Sequence, residues 1–401
     1  MKKNLIISIV VIMIWAGIIS VSAETNFFIS ETAHYKVYTD ESMAFSQEVS
    51  DKMEASFILF NDLLHFDTST LHVKLKVRIF KTKELFDKYL LSLLDETRGD
   101  FVYIHYSDLE RSELVGFKKE KIEDFDSSLL HQGFIQFVKA FIPATPIWLR
   151  EGTAAYFEAS TYDPKTKSFT WKPNLVWLDS LKGIIKGENN IELISIDRLL
   201  LMDRDAAVKY IDIFYPESWG LVHFLINSNE KKYNRVFWDT LSTLRPNNTL
   251  EENAKLVVKR AFSWIPYSIM EKDFKAYIMS LKTPYDFVKE GIDLYSKNRL
   301  EEAKKSFENA IKLDSEINIP YYYLGLIYYS ERKYDDAEEY YKKSLEKGTD
   351  KALINYALGV NAFAANRFDD ATAYLKKAKE LDEKTYGAKV DSLLKRIDLL
   401  K

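Results

Sequence analysis

Residues 318–351 read NIPYYYLGLIYYSERKYDDAEEYYKKSLEKGTDK, and the same skeleton recurs on either side of them. Gly325 has counterparts at Gly291 and Gly359, and Ala337 at Ala303 and Ala371, each 34 residues away. Phe307, Tyr341 and Leu375 place a larger side chain at this interval, and Ala310, Ser344 and Ala378 a small one. A 34-residue period marks helix-turn-helix units stacked in an array. Small residues let the two helices of a unit approach closely, and the larger residue fills the gap between units. Turns are expected at Lys297-Asn298-Arg299, Glu331-Arg332-Lys333 and Ala365-Asn366-Arg367.

The coincidence of these positions at one period resembles the tetratricopeptide repeat (TPR) family, in three units at 284–317, 318–351 and 352–385. A second apolar stripe repeats with them: Tyr285, Val288, Ile292 and Tyr295, then Ile319, Tyr322, Leu326 and Tyr329, then Leu353, Tyr356, Val360 and Phe363. Their three-and-four spacing sets each group on one helical face. In this family that face lines the concave groove, so the resemblance implies an aromatic, apolar groove for a protein or peptide. It lacks the lysine and asparagine lining with which some relatives clamp a terminal carboxylate. A second possibility stays open: the stripe packs against the chain's own amino-terminal domain or a closing helix. The segment 384–401, with Val390, Leu393, Leu394 and Ile397, suits such a cap.

At 401 residues the chain is too long for one ordinary domain, and 47% apolar residues can bury a sizeable core. Residues 1–23 have Lys2 and Lys3, an apolar run from Leu5 to Val21, and Val-Ser-Ala before Glu24, as a cleaved signal peptide requires. An uncleaved anchor is the alternative, and it is the one route to a membrane. The expected location is therefore outside the cytoplasm, periplasmic or extracellular. Absence of cysteine excludes disulfides, thiolate metal sites and cysteine nucleophiles, and favours a periplasm. The formal charge is −4, and no basic cluster interleaved with aromatics suggests nucleic acid as a partner.

Between leader and repeats, strands are expected at 34–39, 73–80, 101–105 and 113–118, and helices at 41–64, 81–93, 127–141 and 148–159. Asp126 or Ser127 is the expected cap of the third of these helices. Further helices are expected from Ile196 to Leu281. The domains expected are 24–282, with an α/β part to about 160 and a helical part from 161 to 282, and the repeats from 283 to 401.

Leu129-Leu130-His131-Gln132-Gly133-Phe134-Ile135-Gln136, followed by Pro146-Ile147-Trp148-Leu149-Arg150-Glu151-Gly152-Thr153-Ala154-Ala155-Tyr156-Phe157-Glu158, resembles the core of the gluzincin metallopeptidases, in particular the peptidase-MA-like exported proteins. There a helix bearing HExxH precedes one reading W-L-x-E-G-x-A-x-Y-F-E. The resemblance implies an α+β zincin-like amino-terminal domain with a helical half, ahead of the all-α TPR solenoid. HExxH works because two histidines four apart face one metal while the glutamate takes a proton from zinc-bound water. Here His131 holds the first ligand position and Glu151 the third. Ile135 stands at the second and has no lone pair, and Gln132 replaces the base with a non-basic amide. The expectation is a degenerate site with no catalytic residue, no zinc and no other cofactor. His131 is then a core histidine hydrogen-bonded to Glu151. The function that follows is protein binding or scaffolding. The alternative is a zinc-dependent peptidase with an atypical site that recruits His223, His105 or water.

Overall fold

The computed structural model describes residues 27–188 and 191–400, so the expected leader at 1–23 lies outside the described residues. The chain opens as a five-stranded mixed sheet of β1 (Phe28–Glu31), β2 (Tyr35–Thr39), β3 (Leu75–Phe80), β4 (Val102–Ile104) and β5 (Glu113–Phe117), ordered β1-β2-β3-β5-β4. β2, β3 and β5 run parallel, with Val37 beside Val77 and Val77 beside Leu114, and the flanking strands run antiparallel. Alternation along each strand separates two faces. Tyr35, Val37, Leu75, Val77, Ile79 and Leu114 join the main core, while Phe80, Ile104 and Val115 meet Phe86 and Leu90 of α2 (Lys83–Leu94) on the other side. The main-core face is covered by α1 (Met43–Leu64), which Ser42 caps by accepting the Phe45 N–H, and by α3 (Ile122–Phe141).

α3 starts five residues before the expected Ser127, and neither Asp126 nor Ser127 caps it. Phe125 is buried in the core, and Asp126 is drawn to Lys52, whose Nζ donates to it at 2.7 Å. Glu123 and Asp124 occupy the first turn, where the helix dipole favours them. After α3, Pro143 and Pro146 turn the chain into α4 (Ile147–Phe157).

A hairpin of β6 (Thr161–Asp163) and β7 (Ser168–Thr170) stands where the helical part is expected to begin, and helix α5 (Leu178–Ile185), within that part, follows it. The expected helices come next: α6 (Ile196–Leu200), α7 (Arg204–Lys209), α8 (Ile211–Asn227), α9 (Lys231–Thr243), α10 (Leu250–Val257) and α11 (Tyr267–Ser280). α4 lies directly on α8: a Cβ on Gly152 would overlap the Ser218 carbonyl oxygen and sit 2.7 Å from its carbon. One core, including Val37, Phe60, Phe134, Trp148, Trp219 and Phe274, joins the sheet layer to these helices.

Thr283, in a capping box with Asp286, opens the repeats. They comprise α12 (Pro284–Ser296), α13 (Leu300–Leu313), α14 (Ile319–Ser330), α15 (Tyr334–Glu346), α16 (Lys351–Ala364) and α17 (Phe368–Leu381), closed by α18 (Glu383–Asp398). The ion pair from Lys182 of α5 to Asp286 at 3.2 Å ties the first repeat to the amino-terminal domain. All three turns fall where expected, with Asn298, Arg332 and Asn366 in the left-handed region. The period acts through glycine: a Cβ on Gly325 would stand 2.5 Å from the Tyr341 ring, and one on Gly291 2.6 Å from Phe307.

Overpacking at such a contact costs about 2 kcal/mol, so Gly325→Ala is expected to lower the urea midpoint clearly. Gly99→Ala, where no atom lies within 4 Å of an added methyl, should barely move it. Equal midpoints for the two variants would show that the ring contact does not set the repeat packing.

Candidate functional site

α3 turns His131, and Ile135 one turn later, towards the core that it shares with α4. Glu151 and Glu158 are seven residues apart on the α4 side, near enough to two helical turns to share a face. The imidazole lies between them. His131 Nδ1 is hydrogen-bonded to Glu158 Oε1, and His131 Nε2 faces Glu151 Oε2 at 3.3 Å. The other oxygen of Glu151 accepts from Arg150 Nε and Nη2 at 2.9 and 2.7 Å. Glu158 Oε2 accepts from Asn174 Nδ2 at 2.9 Å. Sequence reasoning paired His131 with Glu151 and missed Glu158 and Asn174. The seven-residue spacing on α4 was the signal for Glu158, and nothing local marks Asn174.

With a carboxylate at each ring nitrogen, only the doubly protonated ring donates to both, and either neutral tautomer turns a lone pair on one carboxylate. Burial disfavours the charge on His131, yet the bonds to Glu151 and Glu158 outweigh it and push the pKa up to about 10. Burial likewise opposes the Glu151 charge, but His131 and Arg150 hold its carboxyl down at about 2. The side chains of His131 and Glu151 are only 16% and 10% exposed, so solvent screens this unit little.

The positions around it lack donors for a metal. Ile135 is buried in the main core. Gln132 Oε1 accepts the Tyr103 N–H at 3.3 Å, which fastens α3 to β4. Glu151 and Glu158 sit at opposite ring nitrogens of His131, so a metal at either nitrogen would find one imidazole and one carboxylate, short of the three protein ligands that catalytic zinc takes. Among the described residues no group of three or more His, Asp or Glu is arranged to hold a metal ion. His223 pairs with the Tyr277 hydroxyl at 2.8 Å among the rings of Tyr156 and Trp219, and burial pushes its pKa down to about 4. For His105, burial and then the cations Lys139 and Arg150 hold the pKa below its ordinary value, and those charges would also repel a metal.

On the repeats, Tyr285 is 70% exposed, while Ile292, Tyr295, Tyr322, Leu326, Tyr329, Tyr356, Val360 and Phe363 are half-buried. Tyr295 meets Tyr323 and Tyr329 meets Tyr334, with ring centroids 5.3 and 6.0 Å apart. At the third repeat α18 packs on the stripe: Tyr386 lies 4.9 Å from Tyr356, and Arg396 stands over Phe363 at 5.3 Å. The closing helix therefore takes part of the stripe, and the first two repeats keep the rest.

Two families match parts of the chain. Residues 288–352 and 328–385 match the tetratricopeptide repeat family, and residues 131–248, beginning at His131, match a family described as a protein of unknown function, DUF1570. No curated protein matches. Among solved structures, the N-terminal domain of stress-induced protein-1 from C. elegans is similar at 20% identity and a TM-score of 0.25, over 27% of this chain and 93% of that one. By the family match the carboxy-terminal part is a TPR array, an architecture suited to protein–protein interaction, and it follows a sheet-containing region.

A histidine whose folded pKa lies above its ordinary 6.5 adds stability that is complete below pH 6.5 and is lost as pH rises towards 10. Glu151, depressed from 4.5, adds stability that is complete above pH 4.5 and is lost as pH falls towards 2. The advantage of the native chain over His131→Gln should therefore be largest between pH 4.5 and 6.5. It should reach about 3 kcal/mol there and shrink steadily to pH 10. Denaturant unfolding at stepped pH measures it, and an advantage unchanged across that range would contradict the charged ring.

Proposed function

We propose that this chain is an exported binding or scaffolding protein of the cell envelope. The repeats hold a partner polypeptide, and the amino-terminal domain is a peptidase-like fold without hydrolytic activity that offers a second binding surface. Export rests on residues 1–23. The peptidase-like reading rests on the resemblance of His131 to Glu158 to gluzincin helices. What supports the loss of hydrolysis is one arrangement: both nitrogens of His131 engaged by carboxylates, with Gln132 and Ile135 where a base and a ligand would stand. Gln132 has no proton-accepting group of useful basicity. What supports the repeats as the seat of binding is their family match and the tyrosines left half-buried on the first two repeats. Tyrosine offers a large rigid contact at low entropic cost, as partner surfaces favour.

The test has two parts. Tyr295→Ala with Tyr329→Ala should leave the melting profile in place and reduce capture of envelope polypeptides about tenfold; undiminished capture would count against the groove. Metal analysis of the purified chain should find no stoichiometric zinc, and Gln132→Glu with Ile135→His should create a zinc site. Stoichiometric zinc in the native chain that disappears with His131→Ala would favour the peptidase reading, to which the 3.3 Å approach of His131 and Glu151 gives its one support.

A further inference from the structure

The two cations that would repel a metal from His105 belong to a larger group. Lys139 lies in the last turn of α3, two turns beyond Gln132 and on the face that Gln132 fastens to β4, and His105 follows that strand directly. Arg150 stands in the first turn of α4, which packs on α3, and Arg204 begins α7. Lys139 and Arg150 act on His105, and Arg150 and Arg204 act on Lys139. Arg150 and Arg204 also act on Tyr215, which lines a cavity of about 610 Å³ together with His131 and Gln132. Four elements thus bring four basic side chains together on the Tyr215 side of that cavity.

The charges there do not balance. Protonated His131 and Arg150 together neutralise Glu151 and Glu158. Lys139 and Arg204 have no ion-pair or hydrogen-bond partner among the described residues. Glu151 is the one described carboxylate that bears appreciably on Lys139, and none does so on His105. Asp203 caps α7 by accepting the Ala206 N–H at 2.8 Å, and Asp205 adjoins Arg204 on a helix, where consecutive residues do not face each other. The carboxy-terminal dipole of α3 favours a cation at Lys139 but leaves Arg204 unanswered. Burial, then Arg150 and Arg204 against the pull of Glu151, hold the Lys139 ammonium down at about 8. The donors are reachable: Lys139 is half-buried with its Nζ open to solvent, Arg150 Nη1 is unsealed and makes no bond while Nε and Nη2 hold Glu151, and Arg204 is exposed.

We infer that Lys139, Arg150 and Arg204 form a binding site for an oxyanion, the carboxylate or phosphate group of a ligand. Lys139 Nζ and Arg150 Nη1 donate to its oxygens in charge-assisted hydrogen bonds, and Arg204 adds its charge from the rim. Groups of one sign gathered in a low-dielectric wall concentrate the opposite ion, so the charges that keep a metal from His105 attract an anion for the same reason. The inference deepens the reading of the amino-terminal domain as a binding surface, and it is independent of the repeat groove.

Calorimetric titration of the purified chain with inorganic phosphate and with a glutamate-rich peptide tests it. Both should bind, and more weakly as salt rises. Tighter binding of the peptide assigns the anion to a polypeptide carboxylate, and tighter binding of phosphate assigns it to a phosphate group; either supports the site. Lys139→Met should weaken binding about tenfold, and Arg204→Gln, at an exposed position, about threefold. Because it relieves like charge, Lys139→Met should melt above the native chain in anion-free buffer, and phosphate should raise the melting temperature of the native chain but not of this variant. Lys81→Gln with Lys121→Gln, exposed lysines on a different cavity, should change nothing. Binding that survives Lys139→Met with Arg204→Gln, or that is lost with the Lys81 and Lys121 pair instead, would overturn the inference. So would a failure of phosphate and peptide alike to bind, and the repeat reading, tested separately at Tyr295 and Tyr329, would then stand.

Discussion

Helix α4 can lie on α8 only because residue 152 has no side chain. Any Cβ there meets the Ser218 carbonyl, which is backbone and cannot swing aside. Gly152 follows Glu151 directly, so the contact that fixes the depth and rotation of α4 also fixes where Glu151 and Glu158 meet α3. The repeats use the same device at longer range, with Gly291, Gly325 and Gly359 each seated against the larger side chain sixteen residues on. In both halves a missing methyl sets the distance between helices, and the polar chemistry follows from it.

The first consequence is the imidazole held between two carboxylates. A buried ion pair costs desolvation, and it persists when geometry and additional hydrogen bonds offset that cost. Arg150 and Asn174 supply those bonds on the outer oxygens of Glu151 and Glu158. The unit is neutralised internally, and Ile135 and the Gln132 bond to β4 close the space beside it with groups that hold neither a metal nor a proton.

Much of this was legible in the sequence. The repeats were, because a close glycine contact and the ring that fills it must recur at the period of the unit. Strands from Tyr35 to Phe117 followed from alternation, and the bond between His131 and Glu151 from the resemblance that set the two residues at neighbouring ligand positions. The missing parts depend on distant partners. α3 was placed too late because Asp126 reads as a cap, whereas Lys52, far away in sequence, takes it. Asn174, which orients Glu158, sits in a loop without periodicity. The cover of Tyr356 by Tyr386 depends on how α18 folds back, which a single helical face does not specify.

The state of the His131 ring tests most directly whether this centre is a closed ion-pair unit. Nitrogen-15 NMR of the imidazole at neutral pH distinguishes a doubly protonated ring from a neutral one. Two protonated nitrogens at pH 7, with titration only well above the ordinary histidine value of 6.5, are expected. A ring that is neutral at pH 7, with one bare nitrogen open to a metal, would contradict it.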